Sequence, residues 1–442
     1  MPPPTPPLVT PSLLLTLIFA IALAASVLTK LWLASRQMRH VAAHRDAVPA
    51  LFADRISLAA HHKAADYTIA KTRFGLLGLA IGTATLLGWT LLGGLDLLNA
   101  SLLDASLLDA LGGGMWQQLA LVAAFALISG LIDLPASYYQ TFVLEQRFGF
   151  NKMTPGLWLA DLLKGTAMGA LVGLPILAVI LWLMGSAGQW WWLWAWAFWV
   201  GFNLLLMVIY PAFIAPLFNK FQPLEDESLK ARVQALMQRC GFAAKGLFVM
   251  DGSRRSAHAN AYFTGFGASK RVVFFDTLLQ KLNGGEVEAV LAHELGHFKH
   301  KHIIKRMLGL FGLTLLGFAL LGWLSQQGWF YTGLGVTPNL NIPGLPGSSP
   351  NDALALLLFM LVIPVFSSFV SPLMAQSSRK HEFEADAYAV QQTRAADLQS
   401  ALLKLYEDNA STLTPDPVYV RYYYSHPPAV ERIRHMQQLA HD

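Results

Sequence analysis

The chain has 442 residues, of which 54% are hydrophobic and 13% are charged, whereas a charged content of about 25% is usual for soluble domains. This composition leaves too little polar surface to cover a water-soluble globule, so we expect a bilayer to solvate much of the chain. A net charge of +5 would suit nucleic acid, but the positive residues lie between apolar stretches, and no nucleic-acid partner is expected. The single cysteine, Cys240, excludes an intramolecular disulfide and a cysteine-rich metal site.

Seven apolar stretches are long enough to cross the hydrocarbon core as helices, which takes about 17 to 25 residues. The first contains Ala22-Leu23-Ala24, a triplet typical of signal-peptide cleavage, but no positive charge precedes it, and we expect a spanning helix. The predicted fold class is a polytopic α-helical membrane protein with seven transmembrane helices. The stretches are Leu13–Trp32, Phe74–Leu98, Leu119–Tyr138, Ala167–Met184, Leu193–Ile214, Met307–Leu324 and Ala353–Ser371.

The connections between these stretches alternate in charge. The second, fourth and sixth connections contain no Lys or Arg, whereas the first, third and fifth connections and the C-terminal tail contain several. Lys and Arg in short loops stay on the cytoplasmic side of a membrane. The alternation therefore predicts an N-terminus outside, with the long fifth connection and the tail in the cytoplasm.

The long polar region between the fifth and sixth stretches predicts a domain of mixed α and β structure. Glu225–Arg239 has the periodicity of an amphipathic helix, Leu247–Met250 and Arg271–Phe275 are typical of strands, and His258–Thr264 is a weaker strand candidate. We therefore expect four consecutive parts. Residues 1–218 form five transmembrane helices, 219–306 a cytoplasmic catalytic domain, 307–375 the sixth and seventh transmembrane helices, and 376–442 a cytoplasmic part that completes the site.

The motif H-E-x-x-H lies near the end of this polar domain. The run from Gly285 has an amphipathic helical pattern, and on a helix His293 and His297 lie one turn apart on one face while Glu294 is turned toward a bound water. This spacing suits hydrolysis at a zinc ion, which takes three protein ligands, binds water in the fourth position and lowers the pKa of that water. We expect one zinc ion per chain. A structural helix with two hydrogen-bonded histidines is the alternative.

The third ligand is expected from the segment just after the last apolar stretch. Glu382 and Asp386 share a helix face, so one can bind the metal while the other accepts a hydrogen bond from a ligating histidine, and Glu384 should point away. A charged helix end at a membrane surface is the alternative. His300 and His302 are competing ligands, but the lysines beside them favour a solvated face.

The two motifs, H-E-L-G-H at 293–297 and E-F-E-A-D at 382–386, lie on either side of the last two apolar stretches. This arrangement resembles the type I CAAX prenyl endopeptidases, integral-membrane zinc metalloproteases with a gluzincin-type α+β catalytic domain. The likeness extends from about residue 50 to the end of the chain, and Phe142–Lys152, Pro216–Phe221 and Ser425–Pro428 also carry it.

The resemblance implies a role for each candidate residue. It implies that Asn260, with its neighbour Ala261, belongs to an edge strand that pairs with the substrate backbone. His426 would stabilise the oxyanion; a histidine that caps the turn before two prolines is the alternative. The family also encloses a water-filled chamber within the membrane helices. Glu294 would be the general base, and Asp386 would be the carboxylate that accepts a hydrogen bond from a ligating histidine. The zinc ligands would be His293, His297 and Glu382.

The expected function is that of a membrane-embedded zinc metalloendopeptidase, with a peptide or protein substrate and the lipid bilayer as partners. C-terminal CAAX-type prenylated peptides and other membrane-associated peptides are the expected substrates, and no segment of the sequence is identified as a prenyl pocket. The alternative is a non-catalytic membrane chaperone or channel built on the same fold. The complete set of candidate ligands argues against that alternative.

Overall fold

The structure is a computed structural model that describes residues 10–103, 114–242, 246–264, 271–338 and 352–441. Its N-terminal half consists of long helices, and two of them begin in the same way: Thr10 and Thr154 each cap a helix through the side-chain oxygen, and a proline follows each threonine. Two π-helical segments, Gln140–Glu145 and Tyr210–Ile214, continue long helices. The helices are α1 (Pro11–Ala43), α2 (Leu58–Trp89), α3 (Gly94–Leu103), α4 (Met115–Tyr139), α5 (Pro155–Ser186), α6 (Trp191–Ile209) and α7 (Ala215–Phe218).

The polar region after α7 begins with a small sheet. Its strand order is β1-β2-β4-β3; β2 and β4 are parallel, and the outer strands are antiparallel to their neighbours. The elements are β1 (Phe221–Pro223), α8 (Glu227–Arg239), β2 (Gly246–Met250), β3 (Ala261–Thr264), β4 (Arg271–Phe275), α9 (Asp276–Leu279) and α10 (Gly284–Lys299).

The remaining described chain is helical. It contributes two apolar helices, α11 and α13, and then further helices, of which α14, α15 and α17 pack with α10 and the sheet around one buried core. These helices are α11 (His302–Leu324), α12 (Gly328–Thr332), α13 (Asp352–Ser367), α14 (Ser371–Gln392), α15 (Ala395–Asp408), α16 (Pro417–Tyr423) and α17 (Ala429–His441).

Five of the described helical segments are long and apolar enough to span a membrane, and the number rises to seven when two bent helix pairs are each counted as one span. All seven predicted stretches fall within these segments. The seventh stretch runs past the end of α13 at Ser367 into a bend of 66° before α14. The second stretch is not one straight helix either, because α2 ends at Trp89 and α3 follows at an angle of 51°. Gly93 occupies the left-handed region in this break, with φ of 78°, a conformation that glycine adopts without strain.

The sheet agrees with the predicted α+β domain and differs from it in two details. The third strand begins at Ala261 and not at His258, because the amide of His258 donates to Ser256 Oγ and that of Ala259 to Asn409 Oδ1. The short strand β1 was not predicted, since three residues that include a proline give no alternating pattern.

Candidate active site

The helix that carries the H-E-x-x-H motif is α10, and its first turn is fixed by hydrogen bonds. Asn283 and Glu286 form a reciprocal capping box, with bonds of 3.0 and 2.8 Å. The Glu286 carboxylate also accepts hydrogen bonds from Ser400 Oγ and Lys404 Nζ of α15, both at 2.7 Å. Burial acts to raise the pKa of Glu286, but these donors outweigh it and hold the pKa below its usual value.

The second half of α10 lies unusually close to α14. A Cβ atom at Gly296 would lie 2.9 Å from Ala385 Cα and 3.2 Å from Tyr388 Cβ, distances that would force the helices apart. The glycine between the two motif histidines therefore permits an approach that no other residue type allows. This approach brings Glu382, which is on α14, within reach of both histidines.

His293, His297 and Glu382 form a compact group whose candidate ligand atoms all lie within 4.8 Å of one another. Nε2 of His293 is 3.4 Å from Glu382 Oε2, and Nε2 of His297 is 3.4 Å from Glu382 Oε1. Glu382 is buried, and its Oε2 accepts no hydrogen bond from the described residues. A buried carboxylate oxygen normally has a partner. A cation between these three side chains would supply it, so they fit a divalent metal ion.

A buried ion pair lies beside Nδ1 of His293. Asp386 is fully buried, and it accepts hydrogen bonds from Arg432 Nε at 2.8 Å and from His293 Nδ1 at 2.9 Å. The Nδ1 contact turns Nε2 of His293 toward Glu382. Burial alone would lower the pKa of His293, but Asp386 and Glu382 raise it to about 9. A metal ion at Nε2 therefore competes with a proton.

Arg432 was not among the predicted site residues, although the sequence contains a signal for it. Ala429, Ile433 and Met436 form the buried face of α17, and Arg432 lies on the same face by helical spacing. An arginine on an apolar helix face requires a buried anion. Asp386 is that anion.

His297 contacts His302, and the burial of His302 corrects a prediction. The expectation that His302 belongs to a solvated face is wrong, because His302 is buried with 5% exposure. Its Nδ1 lies 3.0 Å from Nδ1 of His297, and its Nε2 lies 2.8 Å from Glu384 Oε2. Glu384 points away from Glu382, as expected, but it contacts the site through His302.

A cavity of about 140 Å³ lies in front of the group. Glu294, Asn260, Ala261 and His426 all line it, together with His293 and Glu382. Asn260 immediately precedes β3, the edge strand of the described sheet, and Ala261 is the first residue of that strand. Nε2 of His426 is 3.3 Å from Glu382 Oε1, and its Nδ1 is 3.0 Å from Ser425 Oγ. The structure thus brings together all eight predicted site residues.

The chain is similar to known proteins along most of its length. Residues 37–220 match the family described as CAAX prenyl protease N-terminal, five membrane helices, and residues 223–440 match peptidase family M48. The CAAX prenyl protease 1 homolog of Arabidopsis thaliana is 40% identical over 317 residues, which cover 72% of each chain. The CAAX prenyl protease 1 of Saccharomyces cerevisiae is 38% identical over 323 residues, which cover 72% of this chain and 71% of that relative.

Similarity in structure extends further than these alignments. The crystal structure of S. mikatae Ste24p matches with a TM-score of 0.88 and 32% sequence identity, and the match covers 98% of this chain and 100% of that chain. The resemblance inferred from the motifs is therefore confirmed, and so are the multi-pass membrane fold and the metalloprotease class. The chain belongs to the type I CAAX prenyl endopeptidases, the integral-membrane metalloproteases of peptidase family M48.

Proposed function

We propose that this metalloendopeptidase uses zinc and hydrolyses peptide bonds in C-terminal CAAX-type prenylated peptides and in other membrane-associated peptides. The observation that carries the proposal is the group of His293, His297 and Glu382 within 4.8 Å. Two imidazoles and one glutamate form a donor set of catalytic zinc sites. The names of the curated relatives, CAAX prenyl protease 1, support the substrate class.

The three side chains would hold zinc, which when bound polarises the scissile carbonyl and makes water more acidic. Glu294 lines the cavity in front of them, and we assign it the role of general base that takes a proton from water and passes it to the leaving amine. Asp386 orients His293 through Nδ1. The non-catalytic chaperone or channel alternative explains neither the matched donor set nor this positioning.

Two further roles concern the substrate. Within the described sheet β3 is the outer strand, and its edge at Ala261, with the preceding Asn260, would pair with an extended peptide, whose backbone then lies across the cavity. His426 would donate to the oxygen of the scissile carbonyl as negative charge develops there. Its contact with Glu382 of the metal group supports this role over that of a turn cap.

The alternation of Lys and Arg supports an orientation in which the catalytic part faces the cytoplasm and the N-terminus lies outside. The same alternation supports the four-part organisation, with the catalytic domain at 219–306 and its completion at 376–442. On a Cys240→Ser background, a cysteine placed at exposed Ser228 should react with an impermeant thiol reagent only after the membrane is opened. A reaction from outside would invert the orientation.

The function itself is tested by Glu294→Gln in the purified full chain. This variant should keep its zinc and lose hydrolysis of an S-farnesyl CAAX peptide by roughly a thousandfold, because it removes the base without removing a ligand. Zinc is measured by atomic absorption and cleavage by mass spectrometry. Glu225→Gln, at an exposed position outside the site, is the matched control. Zinc-loaded parent protein that cleaves neither the farnesylated peptide nor an unmodified one would overturn the proposal.

A further inference from the structure

The residues that lead into the edge strand β3 are held by contacts from outside the sheet. Asn260 and Ala261 line the cavity in front of the metal group, and the two residues before them belong to no strand. The amide of Ala259 donates to Asn409 Oδ1 at 3.3 Å, and Thr277 Oγ1 donates to the carbonyl oxygen of residue 258 at 3.0 Å. The position of the strand edge therefore depends on side chains of other elements.

The side chain of His258 is the point at which several of these elements meet. Its Nδ1 lies 2.9 Å from Asn409 Oδ1, and since that oxygen also accepts from the Ala259 amide, Nδ1 is the donor. The ring stacks on Phe150 with centroids 4.5 Å apart, and Nε2 lies 3.9 Å from Glu145 Oε2. The side chain is still 37% exposed, so these directional contacts, and not the filling of a core, account for its position.

Two of these contacts belong to the membrane-spanning part. Glu145 ends the π-helical segment that continues α4, and the Tyr67 hydroxyl of α2 donates to both of its carboxylate oxygens, at 2.7 and 2.9 Å. π-helical turns frequently occur at functional sites. The Phe150 carbonyl accepts from the Ala257 amide at 3.1 Å. A small buried cluster, separate from the catalytic core, surrounds this junction and consists of Ala64, Tyr67, Leu144, Phe150 and Ala410.

We propose that His258 is a positioning residue for the substrate. Its contacts with Asn409, Glu145 and Phe150 fix the start of the edge strand relative to the metal group, so that a peptide paired with the edge presents its backbone to the metal. His258 itself does not line the cavity in front of the metal group, and it acts through the strand. Hydrogen bonds from a supporting layer of side chains hold a binding surface in its productive geometry in this way. The inference rests on the function proposed above.

The first test measures binding without turnover. In full-length protein with the Glu294→Gln substitution, His258→Ala should weaken the binding of a fluorescent S-farnesyl peptide by roughly tenfold, because the edge is no longer held in place for strand addition. Zinc content should not change. His62→Ala is the matched control, since the His62 side chain is 31% exposed and also lies beside a carboxylate, that of Asp46 at 3.1 Å; it should leave peptide affinity within about twofold.

A small metal-binding inhibitor separates positioning from general damage to the site. Acetohydroxamate binds a metal ion and is too short to pair with a strand, so it should inhibit His258→Ala and the parent equally. In steady-state kinetics His258→Ala should raise KM more than it lowers kcat, as expected when binding common to the ground state and the transition state is lost. An equal loss of affinity for the peptide and for acetohydroxamate would overturn the inference.

Conservative variants identify the atom that matters. An asparagine side chain places an amide nitrogen near the position of Nδ1, and a glutamine side chain places one near that of Nε2. His258→Asn should therefore recover most of the peptide affinity, and His258→Gln should not. Equal affinities of the alanine, asparagine and glutamine variants would show that the hydrogen bond to Asn409 does not position the strand. If His258→Ala does not fold, Asn409→Ala, which removes the acceptor of that bond, replaces it with the same expected loss.

The binding assay also separates this inference from the function on which it rests. Weaker peptide binding by His258→Ala in a protein that hydrolyses no peptide would retain the positioning role and reject the function. Hydrolysis with a KM and a peptide affinity that His258→Ala leaves unchanged would retain the function and reject the positioning role.

Discussion

The membrane-spanning helices and the catalytic part use apolar residues in opposite ways. In the five unbent spans, only 6 to 17% of the most apolar window is buried, and side chains such as Leu171 and Leu316 are 69% and 68% exposed. In the catalytic part, Leu236, Leu278 and Leu291 are at most 2% exposed. Hydrophobicity marks the contact with lipid in the first region and the contact of the protein with itself in the second. The same substitution should therefore have unequal effects in the two regions.

The largest difference is expected between two acidic residues. Glu382→Ala should remove most of the bound zinc and with it all measurable hydrolysis, because two histidines alone hold zinc weakly. Asp133→Ala, which removes an exposed carboxylate from α4, should retain a full complement of zinc. The metal content of both variants is measured after dialysis against a weak chelator. If Glu382→Ala binds zinc as well as the parent, the third ligand is misassigned and His302 becomes the next candidate.

A smaller effect is expected for two histidines. His426→Ala should lower kcat by roughly a hundredfold if the residue contacts the developing oxyanion, with unchanged zinc content and thermal stability. His44→Ala, at an exposed position near the C-terminal end of α1, should leave kcat within about twofold of the parent. Single-turnover kinetics and thermal unfolding decide the question. A loss of stability without a comparable kinetic loss would favour the turn cap.

Alanine substitution of two glycines, one in the catalytic part and one in a spanning helix, compares the two regions most directly. Gly296→Ala should destabilise the protein by about 1 to 3 kcal/mol and weaken zinc binding, because the added Cβ collides with the α14 backbone. Gly309→Ala adds the same atom in α11, where nothing lies within 4 Å, and should be neutral or slightly stabilising. Unfolding midpoints and zinc titrations measure both changes. Equal effects at the two positions would contradict the close approach of α10 and α14.

The smallest effect concerns acid stability of the catalytic part. The pKa of Glu286 is held below its unfolded value by Lys404 and its other donors, although burial opposes this. Its contribution is therefore present above the unfolded pKa of about 4.3 and is lost as the pH falls through the folded pKa. Glu286→Gln should lower the free energy of unfolding by about 1 to 3 kcal/mol at pH 7, and the difference from the parent should shrink only as the pH falls below about 4.

Exposed Glu225→Gln is the control for this pH series, since its carboxylate lies on the surface of the same domain. Thermal unfolding followed by tryptophan fluorescence gives the comparison. A difference between Glu286→Gln and the parent that stays constant as the pH is lowered from about 7 to well below about 4 would mean that the carboxylate charge is not what anchors the start of α10.

The sequence predicts the two regions unequally well, for physical reasons. Spanning stretches are recognisable because length and hydropathy are local properties, and the H-E-x-x-H group because its spacing follows the helical repeat. The break at Gly93 also depends on local sequence, but the residues around it give only a weak indication that the helix ends there. Burial of His302 is not predictable, since it depends on the turn at Lys301 that returns the chain to His297.

A cavity of about 840 Å³ beside His297 could not be predicted from any single segment. It is lined by residues of α6, the end of α10, the start of α11 and β3, by residues 240–242 after α8, and by Tyr388 of α14. Only the packing of α10 against α14 and against the neighbouring spans creates the concave surface.

Lys301 lies in the short connection between α10, which carries two of the candidate metal ligands, and the apolar helix α11. It adopts φ of 57° and ψ of 32° between α10, which ends at Lys299, and α11, which begins at His302. A lysine in this left-handed conformation marks a tight joint and not a flexible linker. Spanning helices tilt to match the thickness of the bilayer, and a tilt of α11 moves His302, which contacts His297. We therefore expect turnover in reconstituted vesicles to depend on the acyl-chain length of the lipid. The bilayer would then set the position of a side chain at the metal site in addition to solvating the spanning helices.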